Sequence, residues 1–113
     1  MKYKSHRTVC NQMHKHASKK EARRCDELTI LEKQRKIKDL KQQPRFPLRN
    51  KFKFQGKTIR EIVYVADFSY IDNRNKKYII EDTKGFRTPV YLLKVKLLKF
   101  IMKDCEDFMF LES

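Results

Sequence analysis

The sequence predicts an α/β (α+β) fold whose elements run helix, three-stranded meander, helix, strand. Three observations predict it. Ser18-Lys19-Lys20-Glu21 has the form of a helix capping box and is followed by apolar residues at helical spacing. Between Phe46 and Ile80, β-rich runs are separated by turn residues. Thr88-Pro89 then pairs an N-cap residue with proline at the first helical position.

Residues 1–17 are polar and basic without clear periodicity, and read as a mobile N-terminal arm. Residues 18–113 form one domain. In the first helix Ala22, Cys25, Leu28 and Leu31 make one narrow apolar face, with Ile30 and Ile37 less regular. Gln43-Pro44 closes that region, because proline pushes the residue before it toward an extended conformation. Phe46, Leu48, Phe52 and Phe54 alternate with Arg and Lys as a half-buried strand. Gln55-Gly56-Lys57 is a turn, and Ile62 to Ile71 is the second strand. Asp72-Asn73-Arg74-Asn75 is the next turn, and Tyr78-Ile79-Ile80 opens the third strand. In the second helix Val90, Leu93, Leu97, Phe100 and Ile101 form the apolar stripe. Phe108 to Leu111 reads as the last strand.

The 113 residues carry 28 Lys and Arg against 14 Asp and Glu, a net charge of +14. That excess concerns partners rather than fold, and DNA or RNA is the first expectation. An anionic membrane surface comes second. No apolar run approaches the ~20 residues that span a bilayer. No apolar region follows the charges of the N-terminus, so a cytoplasmic protein is expected. Cys10, Cys25 and Cys105 are odd in number and contain no C-x-x-C, which suits reduced thiols. Cys10, His14 and His16 match no common structural zinc spacing.

The chemistry concentrates at Asp67 and Glu81-Asp82-Thr83-Lys84. With the turn centred between Asn73 and Arg74, Asp67 faces Ile80, and Asp82 lies two residues along on the same face. Val63 and Val65 share that face, as does Lys84, while Glu81 takes the other. A three-residue loop without a bulge would bring Glu81 to Asp67's face instead. Two carboxylates at the edge of an apolar layer call for a counterion. Mg²⁺ takes such hard oxygens, and would lower the pKa of a bound water and stabilise charge on a phosphate. Lys84 would help hold the water. The same residues also suit an ordinary surface hairpin with an acid–lysine pair. Glu21 lines up with Cys25 and Leu28 and can face the sheet, although a capping-box glutamate needs no other role.

Taken together, these motifs resemble the PD-(D/E)XK nuclease superfamily. Asp67 matches its first acid, Asp82 its second and Lys84 its lysine, with Ala66 where the nominal motif has proline. Ser18-Lys19-Lys20-Glu21-Ala22, Gln43-Pro44, Tyr64-Val65-Ala66-Asp67-Phe68 and Glu81-Asp82-Thr83-Lys84-Gly85 look more closely like small phage proteins similar to Holliday-junction resolvases. The resemblance covers residues 17 to 112. It implies a restriction-endonuclease-like core with a mixed sheet. It also implies a Mg²⁺-dependent endonuclease, with Mn²⁺ as substitute, that cleaves branched DNA in phage recombination or packaging inside the host cell. Glu21, Asp67 and Asp82 would hold the metal, Lys84 would assist the water and Gln43 would have a positioning role. Lys19, Lys20, Arg87, Lys94, Lys96 and Lys99 are the candidates for phosphate contacts, which position without reading sequence. Cutting two symmetric strands favours a homodimer. The alternatives are a nicking or sequence-directed duplex endonuclease, and a basic nucleic-acid-binding protein without catalysis.

Overall fold

The computed structural model describes residues 8–9, 15–16, 18–83 and 87–112. The fold is mixed α+β, with two helices and a mixed four-stranded sheet. Two short strands, β1 (Thr8–Val9) and β2 (Lys15–His16), pair antiparallel within the segment read as a basic N-terminal arm. Helix α1 (Lys19–Lys33) follows; Ser18 Oγ accepts the N–H of Glu21 at 3.1 Å, as the capping box requires.

The chain leaves α1 through Arg35, whose φ of 60° is left-handed. It then enters β3 (Ile37–Gln42), a strand absent from the sequence reading. Ile37 belongs to this strand rather than to the helix. The helix end is set by a left-handed arginine where glycine would have marked it. Strands β4 (Arg45–Arg49), β5 (Phe52–Phe54), β6 (Lys57–Ile59), β7 (Ile62–Val65) and β8 (Phe68–Asp72) follow. The two long strands expected here are thus each divided. β3 pairs β8 and β4 pairs β7, so both strands of one antiparallel ribbon break at the same level. The break lies at Gln43-Pro44 and Ala66-Asp67; Gln43 has φ 49°, and its N–H donates to Asp67 O at 2.9 Å.

The break also resets the alternation of faces. Tyr64 and Ala66 lie in one core cluster, whereas Phe68 and Tyr70 lie in the other. Val65, expected beside Asp67 in the core, is exposed, and Val63 is half-buried. A continuous strand would have kept one parity through residues 62–71.

Strand β9 (Lys77–Asp82) pairs antiparallel with β8, and β10 (Phe108–Glu112) pairs parallel with β9. The sheet order is β10-β9-β8-β3. Ala22, Cys25 and Leu28 of α1 pack with Ile37, Phe68, Tyr70 and Ile79. Helix α2 (Pro89–Met102) sets Tyr91, Val95 and Leu98 against Tyr64, Ala66 and Ile80. Because Ile79 and Ile80 are neighbours on one strand, the two helices cover opposite faces of the sheet.

Helix α2 starts as expected: Thr88 Oγ1 accepts the N–H of Tyr91 at 3.0 Å, with proline in the first turn. Its expected core stripe, however, points outward. Val90, Leu93, Leu97, Phe100 and Ile101 are all exposed, Phe100 at 67%. The helix is apolar on two sides, and periodicity picked the outer one.

Candidate active site at the end of β9

The β8–β9 turn fixes what can meet. Asp72 pairs with Lys77 around a four-residue loop, and the ladder ends with Phe68 opposite Glu81. Asp72 Oδ1 accepts the N–H of Arg74, and Asn75 Oδ1 that of Lys77, side-chain turns of the Asx type. The turn centre therefore lies one residue later than the sequence reading placed it. Continuing the register by one residue sets Asp67 opposite Asp82 rather than opposite Ile80. The shift changes every pair by two, so it keeps the faces.

Glu81 and Asp82 are both fully buried and serve opposite faces. Glu81 lies under α1. Arg24 donates to it from Nε at 2.5 Å and Nη2 at 3.0 Å, and the Tyr70 hydroxyl donates at 2.7 Å. The hydrogen bond to Glu81 holds the Arg24 guanidinium still more firmly protonated than usual. Burial, then the bond to Glu81, pushes the Tyr70 hydroxyl above the ordinary phenol range. Glu81 is thereby committed to a structural ion pair.

Asp82 lies toward α2 and accepts the Tyr64 hydroxyl on Oδ2. Burial first, and the bond to Asp82 second, raise the Tyr64 pKa; the charges of Asp82 and Asp67 both act on it. Asp67 is buried at the ribbon break. Its Oδ2 accepts both the N–H of Thr83 at 2.7 Å and the Thr83 hydroxyl at 2.8 Å. Both carboxylates thus lie near the end of β9, and both bear on the Tyr64 hydroxyl. Tyr91 stands nearby, its ring 6.3 Å from that of Tyr64, and donates to Glu112 at 2.5 Å.

Glu21 is buried in the first turn of α1. Lys20 and Thr83 line one cleft, so the start of α1 lies at the same end of the sheet as the two aspartates. Among the described residues no three His, Cys, Asp or Glu side chains form a cluster that could hold a metal. Asp67, Asp82 and Glu21 thus do not form such a cluster. Gln43 has an exposed side chain, and its tie to Asp67 runs through the backbone. Lys84, Cys10 and His14 lie outside the described residues.

The basic candidates divide. Lys19, Lys20 and Lys96 are exposed, and Lys94 is half-buried. Arg87 pairs with Glu112 at 2.7 Å, and Lys99 lies 5.3 Å from the centre of the Phe110 ring. Sequence reasoning missed Thr83 and Tyr64, which orient the aspartates, and Arg24, which withdraws Glu81. Thr83 stood in view between Asp82 and Lys84. The pairing of Arg24 with a strand residue has no local signal.

One family model matches residues 1–110, described as "Protein of unknown function (DUF1064)". The chain belongs to the DUF1064 family. No curated protein and no solved structure matches it. In this DUF1064 member, no helix among the described residues is long and apolar enough to cross a membrane.

Proposed function

We propose that this DUF1064 protein is a Mg²⁺-dependent DNA endonuclease of the PD-(D/E)XK type that cleaves branched DNA, such as Holliday junctions, in the cytoplasm of a phage-infected cell. The observation that carries the reading is the burial of both Asp67 and Asp82 near the end of β9, just before Lys84, in a chain of net charge +14. The element order α1, antiparallel strands, α2 and parallel β10 fits a restriction-endonuclease-like core.

The donor set fits a hard divalent cation: two carboxylates, each oriented by a protein hydrogen bond. Asp67 and Asp82 would hold it, with Glu21 approaching from α1. A bound Mg²⁺ there would make water a better nucleophile and offset charge on the phosphate. Thr83 fixes one oxygen of Asp67, and Tyr64 orients Asp82. Gln43 holds the Asp67 backbone, and Lys84 would position the attacking water. Lys19, Lys20, Lys94 and Lys96 would steer the backbone of the DNA, with Arg87 and Lys99 contributing where their present partners release them. A homodimer would present two such sites, and the outward stripe of α2 is a surface on which a second copy can pack. Sedimentation of a Phe100→Glu variant tests that surface, because an unchanged wild-type dimer would exclude it.

The test of the function is incubation with a labelled four-way junction and its matched duplex, in Mg²⁺ or in EDTA. The proposal expects metal-dependent cutting with preference for the junction. Equal cutting of the duplex would favour a duplex endonuclease. No cutting under any divalent ion would overturn the enzyme. One observation favours a second reading, a DNA-binding protein without catalysis: both aspartates already accept protein hydrogen bonds and serve the fold. Calorimetry on the DNA-free protein separates the two, since only the enzyme requires Mg²⁺ binding that Asp82→Asn removes.

A further inference from the structure

Beyond the break, the ribbon ends in the β5–β6 hairpin, every residue of which is exposed. Gln55 and Gly56 have φ 50° and 77°, so a two-residue turn with both central residues left-handed closes it. Residues 49–60 contain Arg49, Lys51, Lys53, Lys57 and Arg60, and no acid. The pairs Phe52↔Ile59 and Phe54↔Lys57 place these four side chains on one face of the ribbon, with Lys53↔Thr58 on the other. Phe54 is 60% exposed, and Phe52 and Ile59 are each 39% exposed. Arg49 lies 5.5 Å from the centre of the Phe52 ring. At the stem, Arg45, Lys51, Arg60 and Lys94 line one groove, with Glu61 as its acid.

An apolar strip on a free two-stranded ribbon adds nothing to a core, and such a ribbon is only marginally stable in water. Aromatic rings among cations that outnumber Glu61, the acid of the stem groove, are what unstacked bases and their phosphates require. A ribbon of this width also fits a groove of DNA. We infer that the β5–β6 hairpin is a nucleic-acid-binding arm: Phe54 stacks on an exposed base at a branch point or single strand, while the stem groove tracks the adjoining phosphates. The inference rests on the DNA-binding part of the function proposed above and is independent of catalysis.

Binding of the full chain is measured in EDTA, where cleavage does not interfere. The probes are a four-way junction and a single strand, each carrying 2-aminopurine, and a blunt duplex. The wild type should bind junction and single strand more tightly than duplex and quench the probe. Phe54→Ala should weaken that binding by about tenfold and lose the quench, at an unchanged melting temperature. Phe54→Trp should restore both. The salt dependence of Phe54→Ala should match the wild type, whereas Lys51→Ala with Arg60→Ala should flatten it. Wild-type affinity and quench in Phe54→Ala would overturn the arm and leave the nuclease reading standing. Absence of any DNA binding by the wild type would overturn both. Loss of binding to anionic vesicles, with DNA binding intact, would assign the hairpin to a membrane surface instead.

Discussion

Glu81 and Asp82 are adjacent in the chain and belong to different machines. Glu81 is locked under α1 by Arg24 and Tyr70, and Asp82 meets Tyr64 on the α2 side. Their substitutions should therefore fail differently. Asp82→Asn should abolish cleavage while keeping the fold, and should keep or tighten DNA binding by removing a negative charge. Junction cleavage and anisotropy on the same sample check this, and cleavage at the wild-type rate would remove Asp82 from the site.

Arg24→Met should instead destabilise the protein by about 3 kcal/mol, because it strands the buried Glu81 carboxylate. The measurement is the urea midpoint. Cleavage per folded molecule should be retained. An unchanged midpoint would mean that the ion pair contributes no net stability.

Outer partners of metal-binding carboxylates usually matter by about 10–100-fold in affinity or activity. Tyr64→Phe and Thr83→Val each remove a hydroxyl that orients an aspartate. Each should raise the Mg²⁺ concentration needed for half-maximal cleavage within that range. A titration identical to wild type in both variants would show that the aspartates need no such support.

Glu21→Gln separates capping from metal binding. Gln can reach back to the N-cap amide as Glu does, so a capping role predicts full activity. A ligand role predicts strong loss, partly recovered in Mn²⁺, with little change in melting temperature. We expect the second outcome, and full activity in Mg²⁺ would return Glu21 to its capping box.

Tyr64, Tyr70 and Tyr91 all have raised pKa values, burial being the first cause of each. A folded-state value above the unfolded one means that the native protein holds its proton harder. That stabilisation is complete below about pH 10, the unfolded tyrosine value, and is lost as pH rises toward the folded values. Stability should therefore fall steeply above that point, and less steeply in Tyr64→Phe. Urea midpoints across the alkaline range check this; equal slopes would overturn the Tyr64 contribution.

The sequence made the helices, the last strand and the β8–β9 hairpin legible, because capping residues, proline and turn asparagines act locally. That Glu81 and Asp82 serve opposite faces was legible because parity survives an error of two in register. The strand Ile37–Gln42 was hidden by a left-handed arginine. The outward stripe of α2 was hidden because a helix with two apolar sides offers periodicity no choice. The ribbon break, set by Gln43 and Asp67 across two strands, has no signature along one.

The break in the ribbon divides reach from chemistry. Below it, strands hold the carboxylates; above it, the same two strands carry the hairpin outward. Faces repeat every second residue, so removing or adding two residues per strand would move the tip by about 7 Å and keep its aromatic side where it is. One residue per strand would turn that side around. The arm is thus a ruler graduated in pairs, adjustable in length without touching Asp67 or Asp82.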